Sequence, residues 1–309
     1  MVQIATRQAY GETLAKLGEA NKDIVVLDAD LSKSTMTTHF AKKFPERFFN
    51  MGIAEQNLYG AAAGLSTTGK TVFASTFAIF AAGRAFEIIR NAICYSRLNV
   101  KICATHSGVT VGEDGGSHQA IEDIAAMRAL PNMTVLCPSD AVSTEAAIKK
   151  AAEMDGPVYV RLGRLAVDVL YNQEDFHYEI GKAITLRPGK DMTIIATGFM
   201  VHEALKAVDL LAQKGIEARL IDMHTIKPLD KDIIIQAAKE TGAIVTAEEH
   251  NIIGGLGSAV AEVLAENYPV KMKRVGLKDH FGESGKPLEL IKKFNLTAED
   301  IVEAALQLK

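Results

Sequence analysis

Glu55 is the residue whose neighbours best equip it for chemistry. It stands in Met51-Gly52-Ile53-Ala54-Glu55-Gln56-Asn57, where the apolar segment Arg47-Phe48-Phe49-Asn50 meets a glycine turn and then a helix of small residues. Open α/β sheets place ligand-binding groups at such strand-to-helix junctions. The surrounding alanines and glycines supply little polar surface, and a carboxyl withdrawn from water holds its proton more tightly. It can then donate a hydrogen bond near neutral pH, against the pull of the helix N-terminus, which favours the anion. Taken alone, the same residue reads as an ordinary first-turn glutamate offsetting the helix dipole.

Two aromatic rings and a glycine-rich loop could complete a site. Phe77 and Phe80 lie three apart in Ala74–Phe80; on one helix face, rings at that spacing can bracket a flat heterocycle, while core packing is the plainer reading. The stretch from Ala104 to Gln119 carries His106, Asp114 and His118 among glycines. It follows a strand and so falls at the carboxyl edge of the sheet. Imidazoles donate to and accept from hydroxyls and move protons near neutral pH, which suits a polyhydroxylated substrate. Metal ligation by these three competes, but no ligand set has metal-site spacing. Arg7, Ser34 and Arg164 stand at the edges of elements. An arginine fork there can grip a phosphate or carboxylate, although each residue singly reads as a surface polar group or ion pair.

The elements that must position these residues are βα units. Apolar β-branched runs alternate with helical patterns throughout, the signal of parallel sheets flanked by helices. Thr6–Ala20 reads as a helix, and strands are expected at Ile24–Leu27, Thr71–Ala74, Val100–Ala104, Thr134–Cys137 and Val158–Leu162. The longest helix is expected from about Phe77 to Tyr95. The rhythm fails after Gly163, and a second βα series starts at Met192–Ala196. We therefore expect an α/β chain of two domains, each a mostly parallel sheet flanked by helices: residues 1–170, a linker over 171–190, and residues 191–309.

Composition bounds the partners. The 309 residues are enough for two cores, 48% are apolar, and a net charge of −4 with interspersed signs gives no reason to expect nucleic acid. Cys94, Cys103 and Cys137 fall in apolar runs without a Cys-x-x-Cys pair, as buried reduced thiols would. No run reaches membrane-spanning length and the N-terminus lacks a signal-peptide core, so a cytoplasmic protein is expected.

Taken together, the motifs resemble the second half of the transketolase family. They are Ala5-Thr6-Arg7, Gly52-Ile53-Ala54-Glu55-Gln56-Asn57, Ser75-Thr76-Phe77, Gly112-Glu113-Asp114-Gly115, Arg128-Ala129-Leu130-Pro131-Asn132 and Pro138-Ser139-Asp140. Thr225-Ile226-Lys227-Pro228-Leu229-Asp230, Glu248-Glu249-His250 and Gly254-Gly255-Leu256-Gly257 continue the series, so the likeness spans essentially the whole chain. The resemblance implies a thiamine-diphosphate pyrimidine-binding fold followed by a transketolase C-terminal-domain-like fold. The activity it implies is transfer of a two-carbon ketol unit from a ketose phosphate to an aldose or aldose phosphate, the chemistry of the pentose phosphate pathway.

The same resemblance supplies roles. Glu55 would hydrogen-bond N1′ of the cofactor's aminopyrimidine and favour the tautomer whose exocyclic nitrogen takes the thiazolium C2 proton. Phe77 would stack on the pyrimidine with Phe80 beside it. His106, Asp114 and His118 would hold sugar hydroxyls, with His106 and His118 taking part in catalysis. Arg7, Ser34 and Arg164 would form the sugar-phosphate grip. One departure stands out: the chain lacks the Gly-Asp-Gly motif with which full-length transketolases hold the Mg²⁺ bridging the diphosphate. No residue here is a metal ligand in this reading. The chain therefore resembles the C-terminal section of a split transketolase, inactive without a partner that carries thiamine diphosphate's Mg²⁺ site, in an α2β2 heterotetramer. The rival readings are the beta subunit of a 2-oxo-acid dehydrogenase, a deoxyxylulose-phosphate synthase fragment, and a non-catalytic scaffold subunit. The His106/His118 pair favours sugar chemistry over the first, and retention of Glu55, Phe77 and both histidines argues against a scaffold.

Overall fold

The computed structural model describes residues 2–309. The buried β-branched runs are the centre of a parallel sheet: β1 (Ile24–Asp28), β2 (Phe48–Asn50), β3 (Thr71–Phe77), β4 (Val100–Thr105), β5 (Thr134–Leu136) and β6 (Val158–Arg161). They pair in parallel in the order β5-β6-β4-β3-β1-β2. β1, β3, β4 and β6 are buried along their whole length, as strands covered on both faces must be. The covering helices include α1 (Thr6–Ala20), α2 (Glu55–Ser66), α3 (Asp123–Arg128) and α4 (Ala141–Glu153). A side-chain capping box between Asp140 and Ser143 fixes the start of α4.

The region expected to be one helix from Phe77 to Tyr95 is built otherwise. β3 continues past Ala74 because its ladder with β4 runs on through Thr76↔Ala104 and Phe77↔Thr105. Phe77 is therefore the last residue of a strand and shares no helix face with Phe80. The helical stretch beyond it contains two wide π-type turns, Phe80–Arg84 and Ile89–Cys94. Such insertions recur near functional sites.

The second sheet comprises β7 (Ile184–Arg187), β8 (Met192–Ala196), β9 (Ala218–Asp222), then, after β10 (Thr225–Lys227), β11 (Ala243–Asn251) and β12 (Lys271–Leu277). Its order is β12-β11-β8-β9-β7, parallel except for β7 at the edge. β7 lies inside the stretch read as a linker. Around the sheet stand α5 (Met200–Ala212), α6 (Lys231–Thr241), α7 (Leu256–Asn267), α8 (Pro287–Lys293) and α9 (Ala298–Leu306). β10 leaves this sheet and pairs antiparallel with β5, adding a seventh strand to the first. Ile221, Met223 and Ile226 accordingly pack in one core with Val135 and Cys137. The two sheets are thus joined through shared hydrophobic burial as well as through the chain.

Cys94, Cys103 and Cys137 are buried free thiols, and burial pushes the Cys94 and Cys103 thiols up to about 11 and about 12. Among the described residues no helix is long and apolar enough to cross a membrane.

Candidate active site

The carboxyl ends of β1, β3, β4 and β6 bring most of the expected residues to one edge of the first sheet. His106 follows β4 directly, with φ at 58°. That left-handed backbone is uncommon outside glycine, and strain of this kind gathers at functional sites. Its ring stacks on Phe77 with centroids 3.8 Å apart. Nδ1 lies 2.9 Å from Thr105 Oγ1 and Nε2 lies 3.5 Å from Arg7 Nη1. A guanidinium only donates, so the neutral ring with its proton on Nδ1 suits both neighbours. Burial first, then the positive charges of Arg7 and Arg164, push the His106 imidazole down to about 3. At neutral pH it is therefore an uncharged donor and acceptor.

Arg7 reaches this edge because Gln3–Ala5 pairs antiparallel with Ala166–Asp168, setting the start of α1 beside Gly163 and Arg164. Arg7 Nη1 donates to the Ser34 carbonyl at 2.8 Å, so Ser34 enters the site through its backbone. Arg7 Nε is buried with no hydrogen-bond partner among the described residues. Arg164 donates to the Val111 carbonyl, and at 3.2 Å to Glu113 Oε2. Burial and the nearby Arg164 charge both lower the Arg7 pKa. Two guanidiniums that repel one another, one with an unsatisfied buried donor, form a ready-made anion site.

The aromatic pair departs from expectation. Phe77 and Phe80 stack nearly parallel with centroids 6.0 Å apart. A third ring between them would need ~7 Å or more, and His106 already covers one face of Phe77. The two rings therefore form a wall and do not bracket a heterocycle. His118 meets Phe80 edge-on at 5.4 Å, and Ser117 Oγ lies 3.0 Å from its Nδ1. Asp114 is exposed at the end of the turn Val109–Asp114 and has no side-chain hydrogen bond among the described residues.

Glu55 is the first residue of α2 and is 4% exposed. Its carboxylate makes no hydrogen bond among the described residues, and Arg84 Nε at 3.9 Å is a distant, solvent-exposed counter-charge. One turn along α2, the buried Tyr59 hydroxyl also lacks a partner. A withdrawn carboxyl without an internal partner is costly unless something else shares a hydrogen bond with it.

Residues 2–168 match the family described as "Transketolase, pyrimidine binding domain", and residues 181–301 match "Transketolase, C-terminal domain". The chain belongs to the transketolase family. It is 55% identical, over 97% of its length and 95% of the relative's, to a protein of Methanocaldococcus jannaschii named for a transketolase C-terminal section. It is 43% identical to the 6-deoxy-6-sulfo-D-fructose transketolase subunit SqwH of a Clostridium species, covering 97% of this chain and 92% of the relative. Human transketolase is 42% identical over 98% of this chain, which spans 48% of that enzyme. Among solved structures, one titled "Split gene transketolase, inactive beta4 tetramer" superposes with a TM-score of 0.93 at 60% identity, covering 99% of this chain and 98% of that one.

Several residues that shape this candidate site escaped the sequence reading. Asp28, at the end of β1, accepts from Leu31 N and Thr35 Oγ1 at 2.6 Å and from Thr37 Oγ1 at 3.0 Å, which folds the loop carrying Ser34. Burial raises its pKa. An acid closing a buried strand just before Ser32-Lys33-Ser34-Thr35 was the available signal. Arg161 is gripped by Asp123 at 2.8 and 3.1 Å and donates to the carbonyls of Ala120 and Glu249 at 3.2 and 3.0 Å. Nothing in sequence distinguished this buried structural arginine from Arg164, which stands three residues further on.

Proposed function

We propose that this chain is the pyrimidine-binding and C-terminal subunit of a split transketolase. It would support thiamine-diphosphate-dependent transfer of a two-carbon ketol unit between sugar phosphates. Bound thiamine diphosphate supplies a nucleophilic carbon and the electron sink that carries the fragment. Glu55 fits the edge of its aminopyrimidine, because a buried carboxyl with no internal partner is satisfied by a ligand ring nitrogen. That carboxyl is the observation which carries the reading. Phe77 and Phe80 supply an apolar wall that excludes water beside the ring. Neutral His106 accepts from a sugar hydroxyl through Nε2 without introducing charge, and His118, half-buried against Phe80, can donate or accept. Asp114 accepts from a hydroxyl at the open side. Arg7, its carbonyl partner Ser34 and Arg164 form a cationic corner for the substrate phosphate.

The diphosphate and its Mg²⁺ would be held by a separate subunit bearing the Gly-Asp-Gly motif, in an α2β2 assembly in the cytoplasm. Near-complete coverage of relatives named as subunits or split-gene products supports this division. A further relative, from Phocaeicola vulgatus and 41% identical, is named as one subunit of an apulose-4-phosphate transketolase. Chains of this kind are therefore named for different sugars, and the sugar specificity is a property of the individual enzyme.

The test is a Glu55→Gln variant assembled with the diphosphate-binding subunit and assayed for two-carbon transfer from xylulose 5-phosphate with thiamine diphosphate and Mg²⁺. The wild-type pair should turn over. The variant should assemble normally and lose activity by about 10²-fold or more, the scale of general acid–base catalysis. Near-normal turnover by the variant refutes the assignment.

A further inference from the structure

The loop that carries Asp114 and His118 is held largely by the second domain. Val109 and Ile121, at its two ends, lie in that domain's hydrophobic core with Leu277, Leu290 and Ile291. Thr110 N donates to Glu249 Oε1 at 2.5 Å, and Asn251 N donates to the Ile121 carbonyl at 2.7 Å. The buried Gln119 amide donates to the carbonyls of Val109 and Gly112, each at 3.3 Å, and across the domain boundary to that of Glu283 at 2.9 Å. Ser284 Oγ closes the other side, donating to the Glu113 carbonyl at 2.6 Å.

The two backbones touch directly. A Cβ on Gly116 would stand 2.6 Å from the Gly282 carbonyl oxygen, and one on Gly282 would stand 1.7 Å from Gln119 Oε1. The clasped loop in turn holds Arg164, whose partners are the Val111 carbonyl and the Glu113 carboxylate. The fork of Arg164 is therefore placed by a loop whose own position is set from the far domain.

We propose that Gln119 and Ser284 are positioning residues: through them the segment Gly282–Ser284 of the second domain fixes the loop 109–118 and sets the aim of Arg164 at an anionic sugar substituent. This rests on the transketolase reading for the identity of the sugar. The clasp needs no bound cofactor to form.

The experiment compares wild type, Ser284→Ala, Ser284→Thr and Gln119→Leu, each as the full chain assembled with the diphosphate-binding subunit. Calorimetry follows binding of ribose 5-phosphate, hydrogen exchange follows the amides of residues 109–118, and steady-state kinetics gives KM for xylulose 5-phosphate and for thiamine diphosphate. Ser284 is exposed, so its alanine variant should fold. Ser284→Ala should weaken ribose 5-phosphate binding and raise KM for the phosphorylated donor about two- to tenfold, the effect of one neutral hydrogen bond. Exchange in the loop should quicken, KM for thiamine diphosphate should stay unchanged, and Ser284→Thr should restore all readouts. Gln119→Leu should act in the same direction. Faster exchange with unaltered ribose 5-phosphate binding would mean the clasp is merely structural and overturns the proposal, as would unaltered exchange. A wild-type assembly that binds ribose 5-phosphate but transfers no two-carbon unit defeats the transketolase reading alone, and the binding and exchange arms still judge the clasp.

Discussion

Replacing Arg7 by Gln tests the anion corner most directly. Arg7 donates to the Ser34 carbonyl at 2.8 Å, lies 3.5 Å from His106 Nε2, and leaves Nε buried without a partner among the described residues. It also sits in the field of Arg164, which lowers its pKa. Loss of the Ser34 contact costs about 1 kcal/mol of stability. Relief of the repulsion among Arg7, Arg164 and the His106 pocket offsets part of this, so the fold should survive nearly unchanged. Binding behaves differently. A hydrogen bond to a charged phosphate contributes about 1.5–3 kcal/mol, so KM for a phosphorylated sugar should rise about 10- to 150-fold. KM for the corresponding unphosphorylated sugar should barely move. The His106 imidazole should also titrate higher than about 3, because one of the charges holding it down is gone. The assay is steady-state kinetics of the assembled enzyme with xylulose 5-phosphate and with xylulose, paired with an NMR titration of the histidine. Equal losses for both sugars would refute the reasoning, since they would show a structural role and no phosphate contact.

Two other perturbations test the joint between the domains. Burial pushes the Asp222 carboxyl up to about 7 despite bonds from Ser139 and Tyr171. Its folded pKa exceeds the unfolded value near 4, so its contribution to stability is present below about pH 4 and is lost as pH rises through 7. Asp222→Asn should therefore gain stability relative to wild type between pH 5 and pH 8, read as a melting temperature that falls less across that range; a parallel fall in both proteins contradicts this. Gly108 has φ at +74°, and a Cβ there would stand 2.2 Å from the Glu249 carboxyl carbon. Gly108→Ala should destabilise the protein by about 2–4 kcal/mol in denaturant unfolding; a loss below about 0.5 kcal/mol would show that the loop yields at no cost.

The parts of this protein written locally in its sequence were legible there. Hydrophobic runs and helical spacing located the central strands and the helices Thr6–Ala20 and Glu55–Ser66, since burial on both faces leaves an unbroken apolar run whatever the neighbours are. Glu55, His106, Arg7 and Arg164, to which the proposed function gives the chemistry, could also be singled out, because unusual residue types beside strand ends stand out without any knowledge of packing. What tertiary structure alone decided was their surroundings. Phe77 ends a strand and lies against His106 because the ladder with β4 runs three residues beyond its apolar pattern. β10 crosses to the first sheet, and Gln119 reaches Glu283 over a separation of 164 residues. The choice between Arg161 and Arg164 turned on a buried aspartate far away in sequence. Periodicity reports which face of an element is dry. Which partner shares that face, and which polar atoms are left waiting for a ligand, depends on contacts that no local pattern encodes.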